Sequence, residues 1–193
     1  VIAWTPGAAP SRFVQASDWR WLNRSSARLI VVHTTECREV TGAAPAVASF
    51  FSKPRFDAHG NRLWGSSHLV IDANTIIECV KPEHEAYGAK GGDANATGYH
   101  VELCGFAAQT SEDWQDAYSR GELALAARAA SCVAAHFGIP ALRLTPEEIA
   151  TGASGFCGHR DITAAYHVAG GHSDPGPAFP WDAFLSAVTA PAS

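Results

Sequence analysis

The apolar positions of the chain fall into runs with two different periods. Residues 28–33, Arg-Leu-Ile-Val-Val-His, are apolar almost without a break over the length of a strand. A run with no alternation predicts a central strand buried on both faces, with His33 where it emerges. Residues 68–71 and 75–80 are two further strand-like runs about Asp72-Ala73-Asn74, which predicts a hairpin. Over residues 99–104 the alternation places Tyr99, Val101 and Leu103 on one face, read as core. His100, Glu102 and Cys104 share the other. Residues 43–51 are Ala-rich with Val47, Phe50 and Phe51, and predict a helix. Residues 121–137 predict a longer one, stopped at Gly138 with Pro140 just beyond. Thr145-Pro146-Glu147-Glu148 reads as a helix start, with Thr145 as cap and Pro146 in the first turn. Residues 181–188 predict a closing helix. Stretches 53–65, 83–97 and 152–180 are polar or Gly-rich and read as loops, and 190–193 as a short frayed tail. Interleaved strands and helices point to an α/β or α+β class around a mixed sheet, in a single domain over residues 1–193.

Composition narrows the partners. With 14 Lys plus Arg against 19 Asp plus Glu, the net charge is -5, and the cations form no cluster. Nucleic acid is therefore not an expected partner. No stretch approaches the roughly 18 uninterrupted apolar residues of a membrane span, so no membrane role is expected. Val1 to Pro10 lack a basic start, an apolar run and a cleavage site, so no signal peptide is expected there. The five Cys are odd in number and irregularly spaced, without a CxxC pair. Mostly reduced, buried thiols are expected, with one disulfide left open.

Nine His in 193 residues is the first hint of metal or proton-transfer chemistry. His33 taken alone reads first as a core imidazole bonded to a backbone carbonyl. Gly158-His159-Arg160-Asp161-Ile162, followed by His172-Ser173-Asp174-Pro175-Gly176-Pro177, sets two His and two Asp in a Gly-rich segment. Neutral imidazole nitrogen and carboxylate oxygen are ordinary zinc ligands. No compact ligand motif such as HExxH is present, so spacing does not establish a metal site. Phe156-Cys157-Gly158-His159 also invites a Cys-His hydrolase, with Cys157 or Cys104 as nucleophile. Partners two residues apart rarely form the nucleophile–base pair such an enzyme needs.

Five blocks, in order, resemble the type 2 N-acetylmuramoyl-L-alanine amidases, which share their fold with the peptidoglycan recognition proteins. They are Leu29-Ile30-Val31-Val32-His33-Thr34-Thr35, Ser66-Ser67-His68-Leu69-Val70-Ile71-Asp72, residues 95–105 with an Asn before a Glu-bearing strand, Gly158-His159-Arg160-Asp161-Ile162, and Asp174-Pro175-Gly176-Pro177-Ala178-Phe179-Pro180-Trp181. They span residues 29–181, and the Pro-Gly-Ala-Ala-Pro start is similar to phage lysins. The resemblance implies an amidase fold with a mixed central sheet flanked by helices. It implies one zinc ion held by His33, His159 and Asp174, with a fourth position free for water. It also implies Glu102 as the catalytic Glu. The substrate implied is bacterial peptidoglycan, cut between the sugar's lactyl group and L-alanine, with action at the cell wall after delivery from the host cytoplasm. A separate wall-binding domain and a monomeric state are the accompanying expectations. The other reading left open is a recognition module of the same fold that binds muropeptide without cutting it.

The chain departs from the family pattern at several of these places. His172 stands where the family often has a Lys that stabilises the oxyanion, and a second possibility for it is metal ligation. Ser67 stands where some relatives have a catalytic Tyr. Tyr87-Gly88 replaces a Trp-His pair, and His100 replaces a usual Gly. Tyr87, His68 and His100 are the candidates for substrate contact, with a core role the alternative for His68. His59, His84, His136 and His167 have no motif support and are read as surface or structural.

Overall fold

A computed structural model describes residues 1–190; nearly all of the expected tail lies outside them. Two short strands, β1 (Arg12–Phe13) and β2 (Trp19–Arg20), precede the predicted apolar strand, β3 (Leu29–Thr34), which is buried along its whole length. Helix α1 (Ala43–Phe51) follows as expected. The 53–65 stretch read as loop carries a small hairpin, β4 (Arg55–Phe56) and β5 (Arg62–Leu63). The predicted hairpin is β6 (Leu69–Ile71) against β7 (Ile76–Glu78), and the Asp72 carboxylate accepts the Asn74 N–H at its turn, 2.9 Å.

Within 83–97, also read as loop, lie β8 (Glu85–Ala86) and the single-turn helix α2 (Ala94–Thr97). Next come β9 (Gly98–Leu103) and the long helix α3 (Ala117–Phe137). Asp116 caps α3 by accepting the Ser119 N–H at 2.7 Å, and Gly138 ends it with a φ of 69°. The cap predicted at Thr145 forms, and Glu148 completes it as a capping box that starts α4 (Pro146–Ala150). The largest departure comes after residue 152. The segment read as loop forms a strand, β10 (Gly155–Gly158), running directly into a helix, α5 (His159–Ala165). Helix α6 (Trp181–Thr189) closes the described chain.

The main sheet has the order β1-β7-β6-β9-β3-β10, with β6–β7 its antiparallel pair and the other pairs parallel. One face carries Ile30, Val32, Tyr99, Val101 and Leu103 against α3 and α6. On the opposite face, α1 covers Val70 and Ile77 at one side, while Val31 and Cys157 pack with Ile162 of α5 at the other. Between these two clusters the face is open, and there the polar ends of β3 and β9 project. All five cysteines are free, and all but the half-buried Cys37 are buried. No helix among the described residues is long and apolar enough to cross a membrane.

Candidate metal centre and its cleft

Parallel pairing sets neighbouring residues side by side on one face. His33 of β3 is in register with Glu102 of β9, so both side chains leave the sheet together. His159 directly follows β10, the other neighbour of β3. All three stand at the carboxyl ends of parallel strands, where α/β sheets characteristically hold ligands. Asp174 arrives from the following loop, whose backbone is tied to α5 by the Arg160 N–H donating to the Asp174 carbonyl, 2.9 Å.

His33, His159 and Asp174 are each buried, and one ligand atom from each lies within 4.8 Å of the others. His33 Nδ1 is 3.0 Å from Asp174 Oδ2, and His159 Nδ1 is 3.4 Å from Asp174 Oδ1. Burial opposes ionisation of Asp174, yet hydrogen bonds with His159 and His33 outweigh it and hold the carboxyl well below the usual range. Burial pushes the His159 imidazole down, against the pull of Asp174, which favours the neutral ring a metal needs. Glu102 faces the group with Oε2 buried and unpartnered. Burial first, and then the Asp174 charge, raise its carboxyl well above the ordinary range. A buried orphan carboxylate oxygen beside two imidazoles and a carboxylate is the surrounding a cation would complete.

These residues floor a cleft of about 800 Å³. His172 lines it, stacked on His159 with ring centroids 4.3 Å apart and planes 8° apart; its Nδ1 is 3.6 Å from Asp174 Oδ1. Its side chain is 68% exposed. Burial of the remainder, and the neighbouring His159, lower its pKa, which narrows the pH range over which it carries charge. Tyr87 is also in the wall, edge-on to Trp64 at 5.7 Å. His68 and His100, the other two candidates for substrate contact, are fully buried and do not line the cleft. His68 stacks on Tyr99, and its Nδ1 accepts the His100 backbone N–H at 3.0 Å.

Several cleft residues were not identified from the sequence. Phe50, Arg55 and Trp64 form one wall, and the guanidinium of Arg55 lies 4.6 Å from the Phe50 ring centre. Asn95 holds another, its Oδ1 accepting the N–H groups of Gly88 and Ala89 at 3.1 and 2.8 Å. Exposed aromatics in a polar hairpin were the available signal for the first wall.

Gly158 sets the approach of the Asp174 loop. A Cβ there would lie 2.5 Å from Pro175 Cδ and 3.1 Å from the Asp174 carbonyl oxygen. Gly158→Ala should lower the midpoint of chemical unfolding by the equivalent of about 1–3 kcal/mol, the usual cost of overpacking. An unchanged midpoint would show that the loop has room to give.

Cys104 and Cys157 are fully buried, and both thiols are pushed up, Cys104 first by its hydrogen bond with Cys37 and Cys157 by burial. Neither is placed as a nucleophile. Cys37 behaves oppositely. It lines the cleft, and hydrogen bonds with Cys104 and then Thr35 push it down to about 6. Iodoacetamide at pH 7 should label Cys37 first, with a rate that climbs through about pH 6 as the thiolate forms, read by peptide mass mapping. Preferential labelling of Cys79, which burial pushes up to about 12, would contradict this.

A family model for N-acetylmuramoyl-L-alanine amidase matches residues 23–177. No curated protein sequence matches the chain. Among solved structures, a selenomethionine derivative of AmpD is 19% identical with a TM-score of 0.67, covering 97% of this chain and 100% of that one. Staphylococcus aureus hydrolase AmiA, solved with its ligand, is 17% identical with a TM-score of 0.62, covering 93% and 84%. A mutant endolysin from Bacillus subtilis is 15% identical with a TM-score of 0.61, covering 93% and 99%. At these identities the likenesses show a shared fold. The family model spans the strand that carries His33, the strand that carries Glu102, and the late segment with His159 and Asp174, and on that match the chain belongs to the N-acetylmuramoyl-L-alanine amidase family.

Proposed function

We propose that the chain hydrolyses the amide between N-acetylmuramic acid and L-alanine of bacterial peptidoglycan, using one zinc ion held by His33, His159 and Asp174. The observation that carries this reading is the convergence of these three buried donors at the floor of an open cleft, beside the unpartnered carboxylate of Glu102. Two imidazoles and one carboxylate fit zinc in its catalytic form. The ion, when bound, supplies Lewis acidity toward the scissile carbonyl and toward a water molecule.

Glu102 takes the proton of the attacking water on Oε2 and passes it to the leaving amine of alanine, so that one group serves as base and then as acid. A bound cation would oppose the burial and the Asp174 charge that raise this carboxyl in the metal-free chain, leaving it free to accept the proton. His172, at the mouth above His159, donates toward the developing oxyanion when it is charged. Trp64, Tyr87 and Arg55 hold the sugar and peptide on either side of the scissile bond.

Purified peptidoglycan treated with the protein should lose turbidity and gain free amino-terminal alanine. Zinc chelation should stop both, and added zinc should restore them. Binding to the wall polymer without new amino termini would instead identify a recognition module.

A further inference from the structure

His100 has no part in the proposed hydrolysis. It is fully buried, stands off the cleft, and is held on several sides. His68 Nδ1 accepts its backbone N–H, the His68 ring stacks parallel to it with planes 7° apart, and the Ser67 hydroxyl donates to its carbonyl at 2.8 Å. Its ring fills a space that two glycines leave open. A Cβ on Gly88 would lie 2.4 Å from His100 Nδ1, and one on Gly98 would lie 3.1 Å from Nε2. The Gly at 88 and the His at 100 both depart from the family pattern, and they meet at this ring.

The ring touches the metal centre from behind. His100 Nδ1 is 3.0 Å from His33 Nε2, while His33 Nδ1 is the nitrogen that faces Asp174. An imidazole that gives one nitrogen's lone pair to a metal carries its proton on the other, and that N–H needs an acceptor. The acceptor within reach of His33 Nε2 is His100 Nδ1. His100 then carries its own proton on Nε2, which is buried without a partner. A group with no task but packing would not retain an unpaired buried N–H, because an apolar side chain of similar size would fill the space without one.

Resting on the metal reading of this site, we propose that His100 is a positioning residue: its Nδ1 accepts the His33 Nε2–H and holds His33 in the tautomer and orientation that present Nδ1 to the metal. It touches neither substrate nor metal. The hydrogen bond runs from a cleft ligand to a strand neighbour whose backbone is itself fixed by His68, so the ligand is seated on the sheet.

The test is zinc affinity, measured by competition with a chromophoric chelator, on the native chain, His100→Leu and His100→Asn, with melting of each metal-free protein recorded alongside. His100→Leu removes the acceptor and should bind zinc about 10–100-fold more weakly, the usual effect of losing a partner behind a ligand. His100→Asn sets a carbonyl oxygen near the place of Nδ1 and should recover most of that affinity. Native affinity in a folded His100→Leu would overturn the proposal alone, and so would equal losses in both variants. A native chain that takes up no zinc would overturn the metal reading and this proposal with it. If His100→Leu does not fold, nitrogen-15 imidazole spectra of the zinc-loaded native chain decide. A His33 proton on Nε2 supports the assignment, and one on Nδ1 refutes it.

Discussion

Glu102→Gln should take up zinc like the native chain and yet lose about 10²-fold or more in turnover on peptidoglycan, the scale expected for a general acid–base. Gln keeps the size and shape of the side chain but cannot accept the proton of water. The loss should fall on kcat with little change in KM, since the group acts on the proton in flight and not on the sugar or peptide. The same substitution has a second, opposite readout in the metal-free protein. Burial and the Asp174 charge raise the Glu102 carboxyl well above its ordinary range. An acid raised on folding contributes stability in full below its unfolded pKa and loses it as pH rises through the folded value. Gln does not titrate. The metal-free variant should therefore melt above the metal-free native chain at neutral pH, and the gap should close below about pH 4.3, the ordinary Glu value. Full activity in Glu102→Gln would reject the assigned role, and a lower melting point at neutral pH would reject the desolvation account.

Asp174→Ala should abolish both zinc uptake and amide cleavage, a larger loss than the roughly 10–100-fold expected for a residue behind the ligands. Asp174 is the carboxylate of the donor set and the shared partner of His33 and His159. Without it two imidazoles remain, one short of a catalytic zinc set. Its effect on the metal-free protein should also be opposite in sign to that of Glu102→Gln. Hydrogen bonds to both His rings hold the Asp174 carboxyl low, so it stabilises the fold above the unfolded carboxylate pKa, and that contribution disappears as pH falls through the folded value. Asp174→Ala should therefore lower the neutral-pH melting point of the metal-free chain. Metal analysis by plasma emission and paired melts in chelator would check both parts. Stoichiometric zinc in Asp174→Ala would remove Asp174 from the donor set.

Strong local patterns were legible along the chain. The unbroken apolar run at β3, the alternation at β9, the Gly138 stop of α3 and the cap at Thr145 each follow from neighbours within a few residues. Residues 155–165 depart from the loop reading because Gly155 and Gly158 resemble loop punctuation. Both serve close packing instead. A Cβ on Gly155 would meet the Leu142 carbonyl oxygen at 2.6 Å, and one on Gly158 would meet Pro175. A glycine strand squeezed between β3 and the chain at Arg143 has no local signature that separates it from a turn. His159 accordingly falls in a stretch that reads as loop, whereas it opens a helix and is buried.

The order of residues alone was enough to set the chemical inventory: which imidazoles and carboxylates exist, which face of β9 holds Glu102, and, through resemblance, which family's blocks the chain carries. Whether those groups meet was a matter of tertiary structure. His33 and Asp174 are 141 positions apart, and the link between them is a parallel ladder closed by crossover connections, which no local periodicity encodes. The same holds for His100. Alternation placed it correctly on the face of Glu102, but only packing of the 87–98 segment over that face turned an expected cleft residue into a buried partner of His33. Pattern along a strand specifies direction, and what lies in that direction depends on contacts distant in sequence.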